Sequence, residues 1–294
     1  MKKIFLKNIV IPKVLYVIGN GFDLAHNIKS NYTDFENWVR SNNENADILK
    51  ALFSKRRDFW GDIETALGEY DEEYILNYCK PEENFDEDHS LRAAASIEDA
   101  PDYVLKPALD DLKDWFEDWV DSIDIGNVKP KFRLHKNAKF LSFNYIETLE
   151  SIYKIPSNRV CHIHGVRPER GYVFGHNRKR DHVVGGNEMP LYEENAKLAI
   201  QNYMNFFYKE SEKVIRCNRK FFNSLKKIKY VYVLGHSLSD VDMVYFRHLL
   251  PCFKSQPVFY FSWYSREDVS KIKRFTRCYA IKKWHLLRLE NFMF

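Results

Sequence analysis

The sequence predicts an α/β fold, a mostly parallel sheet with helices on both faces and large helical insertions. Three observations predict it. Short runs of apolar, β-branched and aromatic residues, Val14–Ile18 and Tyr230–Leu234 foremost, each enter a glycine directly. Helix-like stretches separate these runs, and strands alternating with helices build parallel sheets. Two longer helical stretches, about residues 40–135 and 187–228, interrupt the alternation as insertions in a single α/β domain spanning 1–294.

The first strand is expected at Val14–Ile18, an uninterrupted apolar and aromatic run of the kind buried inside a sheet. It leads into Gly19-Asn20-Gly21-Phe22-Asp23-Leu24, where two glycines allow a tight turn and close backbone approach. Ser30 and Asn31 then precede an apolar face of Phe35, Trp38 and Val39, the pattern of a capped amphipathic helix. Residues 40–135 read as helical and acidic, with a ragged loop at 81–90. The clearest helix there is expected over 103–123, where Leu105, Leu109, Leu112, Phe116, Trp119 and Ile123 recur at four-three spacing.

Strand character returns at 138–143, before Asn144-Tyr145 and a helix-like 146–150. It returns again at 159–164, an alternating run that stops at Gly165 and places His162 and His164 on one side. Residues 171–186 are loop-rich, and Pro190 opens the second helical stretch. Tyr230–Leu234 runs into Gly235-His236-Ser237-Leu238-Ser239-Asp240-Val241-Asp242. Ser239 and Asp242 have the spacing of a capping box, so a helix is expected over 243–250, closed by Pro251. A strand at 257–262, a helix at 266–275 and a last strand near 278–281 complete the pattern.

The chain has 294 residues, enough to bury a core without disulfides or metals. With 45% hydrophobic and 29% charged residues and a mean hydropathy of −0.49, it reads as a folded, water-soluble protein. No apolar run is long enough to span a membrane, and the first residues lack the apolar stretch of a signal peptide, so a cytoplasmic location is expected. The five cysteines are scattered and form no Cys-x-x-Cys pair, which argues against zinc and a disulfide framework; no metal is expected. A net charge of +4 does not demand a nucleic-acid partner. The most basic run, Arg178-Lys179-Arg180, reads as a solvated loop.

Four of the predicted turns carry polar residues at strand ends: Asn20 with Asp23, Asn144, His164, and His236 with Ser237 and Asp240. In open α/β sheets the crevice beyond the carboxyl ends of the strands is where ligands sit, so these separate turns are candidates for one nucleotide site. Each residue also has an ordinary role open to it. Asn144 suits a helix cap, His164 a satisfied core histidine, and Asp240 a helix first turn.

Taken together, Gly19-Asn-Gly-Phe-Asp-Leu24 with His26, Phe59-Trp60 before Asp62 and Glu64, Phe143-Asn-Tyr145 with Thr148-Leu-Glu150, His162-Ile-His-Gly165 and Gly235-His-Ser-Leu-Ser-Asp240 resemble the AbiH-type bacteriophage abortive-infection proteins. That family is in turn distantly similar to sirtuin-like, Rossmann-type NAD-binding domains. The resemblance implies that NAD is the substrate or ligand and that Gly19 and Gly21 face its phosphates. It implies that Asn144 holds the ribose or a water and that His164 is the catalytic base. Asn20, Phe22, Asp23, Gly235, His236, Ser237 and Asp240 would complete the binding site. Sirtuin-like sites usually place an acid directly after the Asn-aromatic pair, where this chain has Ile146, with Glu147 next. The missing Cys-x-x-Cys ribbons argue against protein deacylation.

The reading that follows is an antiphage effector that hydrolyses the glycosidic bond of NAD or a related nucleotide, with a phage-derived trigger or partner protein and self-association both open. Two alternatives stand beside it. One is a non-catalytic nucleotide-binding sensor acting through a partner. The other is a metal-dependent phosphoesterase or nuclease built on His162, His164 and His176 with Asp23 or Asp240.

Overall fold

A computed structural model of the chain describes residues 13–42, 59–69, 72–78, 87–179 and 190–292. These fall into two compact units. One comprises Met1–Lys29, Ile123–Arg170 and Ser211–Phe294, and the other Ser30–Ser122 and Gly171–Glu210. The insertions expected over about 40–135 and 187–228 overlap the second unit's segments Ser30–Ser122 and Gly171–Glu210, while Ser211–Phe294 lies in the first.

The first unit holds a six-stranded, all-parallel sheet: β1 (Val14–Ile18), β2 (Lys139–Ser142), β3 (Val160–His162), β4 (Tyr230–Leu234), β5 (Val258–Ser262) and β6 (Trp284–Leu287). Their order is β3-β2-β1-β4-β5-β6. The chain thus builds outward from β1 to one side, then returns to pair β4 on the other, which makes β1/β4 the topological switch point. All five residues of β1 are buried, as a central parallel strand covered on both faces must be.

One face of the sheet carries Leu15, Val17, Leu141, Val231, Val233, Phe259 and Phe261. These pack with Phe222, Tyr245, Phe246, Leu249, Ile272 and Phe275 from helices Arg219–Asn223, Met243–Leu249 and Arg266–Cys278. Residues of opposite parity form a ladder of stacked rings: Phe140–Tyr16 (5.1 Å), Tyr16–Tyr232 (5.3 Å), Tyr232–Tyr260 (4.7 Å) and Tyr260–His285 (5.0 Å). The parallel register aligns these residues on five neighbouring strands, so each ring meets the next.

Helix Arg266–Cys278 runs past the expected end at 275 and occupies the start of the region expected to hold the last strand. A capping box of Ser265 with Asp268 starts it, and the left-handed Ala280 (φ 49°) follows its end. β6 therefore forms later, at Trp284–Leu287. The expected strand at 159–164 shortens to Val160–His162.

In the second unit the reciprocal bonds Asp34 N–H to Asn31 Oδ1 (2.8 Å) and Asn31 N–H to Asp34 Oδ2 (3.1 Å) start helix Tyr32–Asn42, as Asn31 suggested. The helix expected over 103–123 is two helices, Glu87–Leu109 and Leu112–Ser122, parted at Asp110-Asp111. Carboxylates disfavour a helix C-terminus and favour an N-terminus, so this pair closes one helix and opens the next. The stripe residues Leu105, Leu109, Leu112, Phe116 and Trp119 are buried as the spacing requires. Helix Leu191–Phe206 of this unit, together with Ser211–Cys217 and Arg219–Asn223 of the sheet-bearing unit, replaces the single long stretch expected after Pro190.

Candidate functional site

Gly19 and Gly235 follow the two strands of the switch point, and their turns are locked together. Gly19 N–H donates to Leu234 O (3.0 Å) and Gly21 N–H to Gly235 O (2.8 Å). Gly235 N–H in turn donates to Ser262 Oγ at the end of β5 (2.7 Å). A Cβ on Gly19 would lie 2.5 Å from His236 Cα, and one on Gly235 would lie 2.1 Å from Phe22 N. The glycines therefore serve the close approach of one turn to the other. The amides of Gly19 and Gly21, expected to face phosphate, are engaged in that contact.

Short helix Asn20–Leu24 leaves Asn20 exposed and buries Phe22 and Asp23. Phe22 packs on His26, Phe132 and Tyr153. His26 Nδ1–H donates to Phe22 O (2.8 Å), which leaves Nε2 to accept from the Tyr153 hydroxyl (2.7 Å). The Tyr153 oxygen also accepts from the amides of Lys131 and Phe132. Burial pushes the His26 pKa down, with Lys131 acting the same way and the Phe22 carbonyl opposing them. This motif histidine is a structural latch.

Asp23 is fully buried and lies beside Thr148 and Asn144, from the segment after β2. Burial pushes its carboxyl up to about 7, against the opposing influence of the Thr148 hydroxyl and Asn144 amide. Yet neither Asp23 oxygen, nor the side-chain N or O of Asn144, nor Thr148 Oγ1 completes a hydrogen bond of ordinary geometry among the described residues. Five buried polar atoms face one another without good bonds at the carboxyl ends of neighbouring strands. A buried polar atom left so costs about 1–3 kcal/mol, so such a cluster calls for a reason.

His164 is 3% exposed. Its ring contacts those of Phe143 (5.2 Å) and Tyr145 (5.8 Å), the two residues flanking Asn144. The structure thus brings Asp23, Asn144 and His164 into one neighbourhood. His162 Nε2 meets Glu150 Oε1 (2.9 Å) and its Nδ1 faces the Asn144 carbonyl (3.5 Å); β3 ends at residue 162 and the chain turns before His164. His176 lies in the second unit, where Nε2 donates to Met204 O (2.7 Å) and Nδ1 accepts from Arg178 N–H (3.1 Å). Both its ring nitrogens are used, which removes it from the three-histidine metal set.

After β4, His236 Nδ1 accepts from Leu238 N–H (2.9 Å), so its Nε2 carries the proton. Leu238 reaches this bond from the left-handed region (φ 53°), a conformation that costs a leucine on the order of 1 kcal/mol. Ser237 is exposed, and the Asp240 side chain is 79% exposed and faces Arg274. Asp242 is the acid of this turn that points inward. Oδ1 lies 3.4 Å from His164 Nε2 and Oδ2 3.6 Å from His236 Nε2. The Ser239 hydroxyl meanwhile accepts from Val241 N–H, so the Ser239–Asp242 pair expected as a capping box is divided between two tasks.

Ile146 is buried, and Glu147 accepts from Arg167 through both oxygens (2.8 and 3.2 Å). Arg167 N–H also donates to Tyr145 O, fixing the loop that carries Asn144. Glu147 therefore does not take the place of the acid that Ile146 lacks. Thr148 and Glu150 stood in the sequence motif without a role, Arg167 stood in none, and Asp242 was assigned to a cap. No sequence signal separates Asp242 from Asp240, since both stand in the same short turn after β4.

Comparison with curated proteins and with solved structures returns no match. A family model, Bacteriophage abortive infection AbiH, matches residues 15–263, from β1 through β5. That span includes every residue of the strand-end cluster, and the chain belongs to the AbiH bacteriophage abortive infection family.

Proposed function

We propose that this AbiH-family chain is an abortive-infection effector that binds NAD or a related nucleotide beyond the carboxyl ends of β1, β2 and β4 and hydrolyses its glycosidic bond. The observation that carries the reading is the buried Asp23–Asn144–Thr148 cluster beside His164. A sugar edge supplies both donors and acceptors, which is what a carboxyl, an amide and a hydroxyl lacking good mutual bonds require. The β1/β4 switch point supports the same reading, since ligands of open α/β sheets sit beside such points.

In the proposed reaction a water loses a proton to His164, and its oxygen bonds the ribose anomeric carbon. The carbon–nitrogen bond breaks, and its electron pair returns to the nicotinamide ring nitrogen, neutralising the ring's charge. Asn144 orients the ribose or the water. A neutral imidazole suits the proton transfer near pH 7.

Free nicotinamide released from NAD by the purified protein tests this. Asn144→Ala and His164→Ala are each expected to slow release by about 10²-fold or more. Release by the wild type that both variants leave unchanged, or no release at all, rejects the hydrolase. The buried Ile146 and the engagement of Glu147 by Arg167 favour a second reading, a nucleotide sensor without turnover, for which binding without nicotinamide release is the expected result.

A further inference from the structure

We propose that Asp242 is a positioning residue that holds the proton of His164 on Nε2 and strengthens the basicity of Nδ1; this rests on the hydrolase reading, in which His164 takes the proton from water. Asp242 lies just after the β4 turn and is 8% exposed, and its two oxygens divide between two imidazoles. On the His236 side the direction is fixed, because Leu238 N–H occupies Nδ1 and leaves Nε2–H toward Oδ2. On the His164 side Oδ1 faces Nε2 at 3.4 Å. A carboxylate so placed favours the tautomer with its proton on Nε2, which puts the lone pair on Nδ1. It also stabilises the imidazolium formed when that lone pair accepts a proton. The separations exceed a tight hydrogen bond, as is common for catalytic pairs before substrate closes on them.

Three aromatic rings also pack against the His164 imidazole. Tyr145 from the loop after β2 and Tyr245 from helix Met243–Leu249 are uncharged near neutral pH, and Phe143 is apolar. His236 shares the Asp242 carboxylate with His164. Its own proton steadies Asp242 in place, and Phe143 packs edge-on to both imidazoles (5.2 and 4.4 Å), keeping the two rings apart.

The test is nitrogen NMR of the full chain labelled at histidine, with the His164 signal assigned by His164→Gln. The wild type is expected to show His164 protonated on Nε2. In Asp242→Asn the midpoint of its titration is expected to fall, with return toward the wild-type value in Asp242→Glu. A wild-type His164 protonated on Nδ1 overturns the proposal even if the variants fail to fold. So does an unchanged tautomer and midpoint in a folded Asp242→Asn. Where nicotinamide release is measurable, Asp242→Asn should lower kcat about 10²-fold with little change in KM, and its pH–rate profile should shift with the imidazole titration. A wild type that releases no nicotinamide rejects the hydrolase, while the imidazole spectrum alone decides the role of Asp242.

Discussion

A carboxyl group sealed from water beside one hydroxyl and one amide holds its proton far above the range of a free aspartate. Asp23, raised from 3.8 to about 7, binds more protons folded than unfolded between those two values. The stability that Asp23 contributes is therefore fully present below about pH 4 and is lost as pH rises through 7, at about 1.4 kcal/mol per unit. Asp23→Asn keeps the shape and removes the titration. Denaturant unfolding at pH 5 and pH 8 should show the wild type losing on the order of 3 kcal/mol relative to this variant across that interval. His26 works oppositely: its lowered pKa costs stability as pH falls below about 6.5. At this scale the sequence could single out Asp23, Asn144 and His164 because all three follow strands. It did not separate Asp240 from Asp242, since which of two nearby acids turns inward depends on the Leu238 backbone and on the histidines waiting for it.

The two glycine turns act as one element, joined across the switch point. Gly235 combines a left-handed φ of 64° with a missing Cβ that would meet the Phe22 amide at 2.1 Å. Gly235→Ala is therefore expected to cost about 3 kcal/mol or more, read as a drop in denaturant midpoint, because strain and collision fall on backbone that cannot step aside. Strands β1, β4 and β5 were legible because each is a continuous β-branched and aromatic run. β6 was not: Trp284-His285-Leu286-Leu287 is short and half-exposed, and only the end of the preceding helix determines where it begins. The break at Asp110-Asp111 was likewise hidden, since a buried stripe keeps its spacing across two successive helices.

For the molecule as a whole, a nucleotide that binds the sheet-bearing unit must stabilise it by mass action. ADP-ribose at a hundred times its Kd should add about 2.7 kcal/mol to that unit's unfolding, seen as a rise in melting temperature. Thr148→Val should erase most of the rise, and an undiminished shift would place the ligand away from the cluster. The fold class followed from strands alternating with helices. Division into two units did not, because it depends on which distant segments pack together, and two segments of the chain jointly build the second. The same topology sets a schedule for the protein's birth. Val14 to Ile18 leave the ribosome before their partners on either side, which begin at Lys139 and Tyr230. At about 5–20 residues per second, the central strand waits roughly ten to forty seconds for β4. During that interval Val-Leu-Tyr-Val-Ile is an adhesive, unclaimed ribbon. Its safe passage falls to whatever shelters nascent chains, in a cell whose infection the AbiH family is named for.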